Sequence, residues 1–102
     1  MNLRVRWSPL AIRRAYEAAA FIAQDNPAAA ERWTRGLFDA ARTVSRFPQR
    51  GRVVPEIGRP EIREIFFRGY RLVYRISPRR VDVLTVRHGK RQFSIDEVSQ
   101  PE

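Results

Sequence analysis

The sequence predicts an α+β fold in two layers: an N-terminal strand, an antiparallel helical hairpin, then a mainly antiparallel C-terminal sheet. Three observations predict it. Two cap-then-proline signals, Ser8-Pro9 and Asp25-Asn26-Pro27, each precede a long stretch with helical apolar spacing. Residues 61–91 hold three runs rich in β-branched and aromatic residues, separated by turn chemistry at Arg68-Gly69 and at Ser77-Pro78-Arg79-Arg80. A chain of 102 residues is large enough for one core and no second one, so residues 1–102 form a single domain whose layers share that core.

Taken in order, Leu3, Val5 and Trp7 alternate with Asn2, Arg4 and Arg6, which predicts a strand over residues 2–7 with one buried face. The first helix runs from Pro9 to about Gln24, with Ala11, Ala15, Ala18 and Ile22 as one stripe and Ile12, Tyr16 and Ala19 as the next. In the second helix Ala30, Trp33, Leu37, Ala40, Val44 and Phe47 recur every three or four residues, the seam of one helix packed lengthwise on another. Gly36 costs that helix about 1 kcal/mol of propensity, which close approach of the alanine-rich first helix would offset. Phe47-Pro48 ends it. Residues 48–60 then form an irregular crossing rich in proline and glycine, with Val53-Val54 as a short edge strand. Residues 92–102 are polar and acidic, a short helix or loose tail.

The hairpins assign faces. A two-residue loop at Arg68-Gly69 opposes Phe67 to Tyr70, Ile65 to Leu72 and Glu64 to Val73, and opposed residues share a face. Ile65, Phe67, Tyr70, Leu72, Tyr74, Ile76, Val81, Val83 and Thr85 then form the core face. The other face holds Ile62, Glu64, Phe66, Arg71, Val73, Arg75, Asp82, Leu84, Val86 and His88, neither cleanly polar nor cleanly apolar. A sheet surface of that kind is covered by something: a second molecule, or the chain's own tail or a loop.

The formal net charge is +9, and Lys90 is the only basic residue that is not arginine. Residues 1–51 carry nine arginines against four acids, residues 52–91 eleven basic residues against four acids, and residues 92–102 three acids alone. The sheet half is the basic half, suited to a polyanion or an acidic partner bound with strong salt dependence. With no cysteine and one histidine, disulfides, thiolate metal sites and His-based metal clusters are excluded, and no cofactor is expected. No apolar run is long enough to span a membrane, and the N-terminus lacks a secretory apolar segment, so a cytoplasmic protein is expected.

Cleavage of RNA would need a base near a ribose hydroxyl, an acid near the leaving oxygen and a cation for the phosphate. Glu64 as base, His88 as acid, and Arg71 and Arg75 as phosphate clamps are the candidates on the mixed face. Alternatively, Glu64 and Asp82 simply neutralise Arg71 and Arg75 across strands. Arg79-Arg80 and the run Arg87-His88-Gly89-Lys90-Arg91 concentrate positive charge, so the candidate target or polyanion set is Arg71, Arg75, Arg87, His88, Lys90 and Arg91.

This order of elements, with REIFFRGYRLVYRI and VDVLTVRHGKR in the sheet, resembles the ParE/RelE superfamily of bacterial toxins from type II toxin–antitoxin modules. SPLA and DNPAAAERW opening the helices and FPQRGRVVPE in the crossing look like the ParE branch, and the similarity covers nearly the whole chain. The resemblance implies a RelE/ParE-like sheet with helices on one face, and a hetero-oligomer in which a cognate antitoxin wraps the toxin. ParE-type members inhibit DNA gyrase; RelE-type members cut messenger RNA on the ribosome, generally with charged and tyrosine residues near the last strand. Here Gly89 follows His88 and no tyrosine lies beyond Tyr74. The expectation is therefore a non-enzymatic gyrase inhibitor, with two alternatives. One is a ribosome-dependent endoribonuclease using Glu64, Arg75 and His88; the other is a non-toxic basic nucleic-acid-binding domain. The antitoxin is expected on Phe66, Val73, Leu84 and Val86.

Overall fold

The computed structural model describes residues 3–89. The expected tail, together with Lys90 and Arg91, lies outside the described residues. Along the chain run β1 (Arg4–Trp7), α1 (Pro9–Asp25), α2 (Pro27–Arg46), a single 3-10 turn (Pro48–Arg50), β2 (Arg52–Val53), β3 (Ile62–Phe67), β4 (Tyr70–Ile76) and β5 (Arg80–His88). The five strands form one sheet in the order β1-β5-β4-β3-β2. Only β1 is parallel to its neighbour, with Val5 opposite Val81 and Trp7 opposite Val83.

The cap residues explain how the helices are seated. Ser8 Oγ accepts from the Ala11 N–H at 3.0 Å and donates to the Leu84 carbonyl at 2.9 Å, while the Ser8 N–H donates to the Val83 carbonyl at 3.0 Å. One residue thus caps α1 and pins it to β5. Asn26 ends α1 and begins α2: its N–H donates to the Ile22 carbonyl at 3.0 Å, and its Oδ1 accepts from the Ala29 N–H at 3.0 Å. The hairpin turns on that single residue.

Ala11, Ala15 and Ala18 of α1 and Trp33, Leu37, Ala41 and Val44 of α2 pack on Leu72, Tyr74, Val81, Val83 and Val86 of the sheet. The expected α2 seam is corrected at two places. Ala41 is buried where Ala40 was expected, and Phe47 is 60% exposed because α2 stops at Arg46 and the chain turns away. Gly36 does not serve the alanine contact either. A Cβ there would stand 2.7 Å from Phe67 Cζ, so the missing side chain makes room for an aromatic ring of β3.

Tyr74, buried in the centre of the sheet, fixes the start of the crossing. Its hydroxyl donates to the Pro48 carbonyl at 2.7 Å and accepts from the Gly51 N–H at 3.1 Å. A Cβ on Gly51 would meet that oxygen at 2.4 Å and the Glu64 carbonyl at 2.7 Å, so only glycine fits. Burial pushes the Tyr74 phenol above its usual pKa, keeping it a donor.

The β3–β4 turn has φ of 45° at Arg68 and 84° at Gly69. Positive φ at both central residues belongs to the type I′ hairpin, for which asparagine is favoured first and glycine second. An arginine at such a position carries backbone strain on the order of 1 kcal/mol. Arg68→Asn is expected to raise the denaturant midpoint at unchanged slope, by up to about 1 kcal/mol of stability; a lowered midpoint would contradict the turn assignment.

Candidate functional site

Two carboxylates and two guanidiniums on the far face of the sheet satisfy one another. Glu64, 1% exposed, accepts from Arg52 Nε at 2.6 Å and from Arg71 Nε at 2.6 Å. Arg71, 5% exposed, also donates from Nη1 and Nη2 to the two oxygens of Glu56 at 2.9 and 2.8 Å. Glu56 belongs to the crossing, so the planar fork of Arg71 clamps that segment onto the sheet. Beside the clamp Val54 and Ile57 pack on Ile62, Val73 and Leu84 as a second small core. The part of the mixed face around Ile62, Val73 and Leu84 is therefore covered by a loop of the chain itself.

Strand β5 departs from the expected register. Leu72 opposes Val86 and Val73 opposes Thr85, but Tyr74 opposes Val83, so Leu84 is one residue more than β4 can pair. This β-bulge reverses the alternation beyond it. Val86 and His88, expected on the mixed face, stand on the helix face. Val86 joins the main core, and His88 lies edge-on to Tyr70 at 5.5 Å between ring centroids, with Tyr70 in turn 5.1 Å from Trp33. Thr85, expected in the helix-side core, is opposite Val73 instead.

The candidate catalytic set does not assemble. Glu64 and His88 project from opposite faces of one sheet and cannot meet the same phosphate. Arg71 is enclosed between Glu56 and Glu64, and Arg75 Nη2 lies 3.2 Å from Asp82 Oδ2. Mutual neutralisation across strands is what the geometry realises. The candidate polyanion set divides as well: Arg71 is buried and Arg75 sits toward β1. Arg87 and His88 line a hollow with Arg14, Glu17 and Phe21 at the opposite end of β5. Of the four residues expected to meet an antitoxin, Val73, Leu84 and Val86 are buried by this chain. Phe66 remains 58% exposed, with the Arg52 guanidinium 5.2 Å from its ring centroid.

An open apolar surface lies on the helix side, where the far-face patterning did not point. Trp7 of β1, Ile12, Ala15, Tyr16 and Ala19 of α1, and Thr34 and Phe38 of α2 line a groove. Tyr16 is 73% exposed, Ile12 and Phe38 are also exposed, and the Trp7 and Phe38 rings stack obliquely at 4.7 Å. Its sequence signal was the second stripe of α1, Ile12, Tyr16 and Ala19, which the sheet leaves uncovered. Among the described residues no three His, Cys, Asp or Glu side chains gather as a metal site would require, and no helix is long and apolar enough to cross a membrane.

Residues 5–93 match the family described as ParE toxin of type II toxin–antitoxin system, parDE. The toxin candidate Y4kP of Sinorhizobium fredii is 37% identical over 93 residues, covering 88% of this chain and 92% of that protein. A chain of the chromosomal ParDE toxin–antitoxin system from P. aeruginosa has the same fold, with a TM-score of 0.69 at 11% identity, over 84% of this chain and 95% of that one.

The clamp makes a pH prediction. Hydrogen bonds from Arg71 hold the Glu56 carboxyl down to about 2 from an ordinary 4.5. A carboxylate depressed by folding stabilises the fold above its unfolded pKa, and that stabilisation drains away as pH falls through the folded one. Glu56→Gln should therefore lower the thermal midpoint at neutral pH, and the gap from the unmodified protein should close between pH 4.5 and about 2. A gap independent of pH in that window would contradict the clamp.

Proposed function

The chain belongs to the ParE toxin family of type II toxin–antitoxin systems, and from that premise we propose that it inhibits DNA gyrase by binding and is neutralised by an antitoxin helix in the α1–α2 groove. It is the toxin half of such a pair. The observation that carries the binding mechanism is the separation of Glu64 from His88 by the thickness of the sheet. Cleavage of a phosphodiester asks for base, acid and cation around one phosphorus atom, and the candidates for those roles are held apart or already paired. This favours gyrase inhibition over ribosome-dependent cleavage of messenger RNA.

The groove suits an amphipathic helix that presents apolar side chains at i, i+3 or i+4, and i+7. Trp7 and Phe38 line it as a ring pair, and the exposed Tyr16 is placed as an aromatic anchor, a residue type enriched at interface hot spots. Phe66 lies on the far face, within reach only of a segment that wraps beyond the groove. Val73, Leu84 and Val86 take no part.

A supercoiling assay tests both halves of the reading. Micromolar toxin should abolish supercoiling by gyrase, and the antitoxin should restore it. His88→Ala should inhibit as well as the unmodified toxin, and primer extension on transcripts from expressing cells should show no codon-position cuts. Cuts that vanish in His88→Ala would establish the nuclease instead. Tyr16→Glu should still inhibit gyrase but need at least about tenfold more antitoxin for neutralisation, the effect of losing one modest interface anchor; an unchanged titration would remove the groove from the interface.

A further inference from the structure

The far face of the sheet is covered only in part. The crossing lies over Ile62, Val73 and Leu84, whereas toward β1 the same face carries arginines. Arg4 is opposite Arg80 and Arg6 opposite Asp82 across β1 and β5, and Arg75 is opposite Asp82 across β4 and β5. Opposed residues share a face, so four guanidinium side chains surround one carboxylate over three neighbouring strands. Arg79, in the adjoining turn, is exposed, as are Arg4 and Arg6.

Asp82 organises this group. It is 2% exposed, with Arg75 Nη2 3.2 Å from Oδ2 and Arg80 Nε 2.8 Å from Oδ1, so one buried carboxylate orients two guanidiniums. Glu61, at the rim, is paired with Arg59. On this face Arg4, Arg6, Arg75 and Arg80 stand around Asp82, and Arg79 in the adjoining turn adds a further positive charge. Strand spacing sets the backbones of opposed residues about 5 Å apart across the sheet and those of same-face residues about 7 Å apart along a strand, so these arginines rise from one small patch.

We propose that this face, Arg4, Arg6, Arg75, Arg79 and Arg80 around Asp82, binds the phosphate backbone of a nucleic acid without reading its sequence. Guanidinium forks match phosphate oxygens in geometry and charge. An acidic protein fits less well, because a protein interface has an apolar centre. The exposed large apolar side chains, Ile12, Tyr16, Phe21, Phe38, Phe47 and Phe66, all belong to other elements than β1, β4 and β5. The surface is distinct from the antitoxin groove, and its assignment stands or falls separately from gyrase inhibition.

The test is fluorescence anisotropy of a labelled 20-base-pair duplex of arbitrary sequence with the full chain, over a series of salt concentrations. Arg4→Gln/Arg6→Gln/Arg79→Gln is compared with Arg32→Gln/Arg35→Gln/Arg42→Gln, which removes the same charge from exposed positions of α2. The first triple variant should bind at least about tenfold more weakly near physiological salt and lower the slope of log affinity against log salt by about 2–3, while the second changes affinity by less than about threefold. Arg4→Glu alone keeps the test decisive should the first triple fail to fold, with an expected slope reduction of about 1–2. Equal losses in both triples would assign binding to net charge and overturn the proposal. So would an unmodified protein that binds polyglutamate but not DNA, which would mark the face for an acidic peptide.

Discussion

A guanidinium withdrawn from water must be neutralised where it stands, and the pairing of Arg71 with Glu64 and Glu56 is the constraint from which the two faces of this protein follow. Breaking such a buried set by removing one partner typically costs about 3–5 kcal/mol, because the remaining charge is stranded. Arg71 and Glu64 come from adjacent strands and fix each other, but the second carboxylate is supplied by the crossing. The crossing must therefore lie on the sheet. Once it does, Val54 and Ile57 seal Val73 and Leu84, while Ile12, Tyr16 and Phe38 on the helices stay exposed.

The bulge at Leu84 has a comparable reach. It lets Val83 and Val86, three residues apart in one strand, both contribute to the helix-side core, which a regular strand does not allow. The same extra residue carries His88 through to the helix side and away from Glu64. One local irregularity thus completes the core and dismantles the constellation that would have suggested cleavage chemistry.

Much of this was legible in the residues. The caps at Ser8 and Asn26, the two-residue hairpin loop at Arg68-Gly69 and the pairing of β3 with β4 follow from chemistry confined to a few positions, and the structure reproduces them. The bulge left no local mark, since Leu84, Thr85 and Val86 are all good strand residues and either alternation buries apolar side chains. The role of the crossing was open because a stretch broken by prolines has no periodicity to read, and the partner of Glu56 is fifteen positions away. On α2 a heptad-like spacing drifts against the true 3.6-residue turn, which moved Ala41 into the core in place of Ala40, while Phe47 lies past the end of the helix. The second stripe of α1 was visible, but a stripe does not say whether a sheet or a partner covers it.

The protein that emerges has a neutral, sealed centre to its far face, an arginine patch beside it and an apolar groove on the opposite side. Charge and exposed apolar surface thereby lie on different faces. Hydrogen–deuterium exchange of the toxin with and without its antitoxin measures this division most directly. The account predicts that antitoxin slows exchange mainly in α1 and the facing part of α2, with the amides of Val54 and of β3 and β4 already protected in the free toxin and little changed. Fast exchange of Val54, Ile62 and Glu64 in the free protein, slowed by antitoxin while α1 is unaffected, would contradict it.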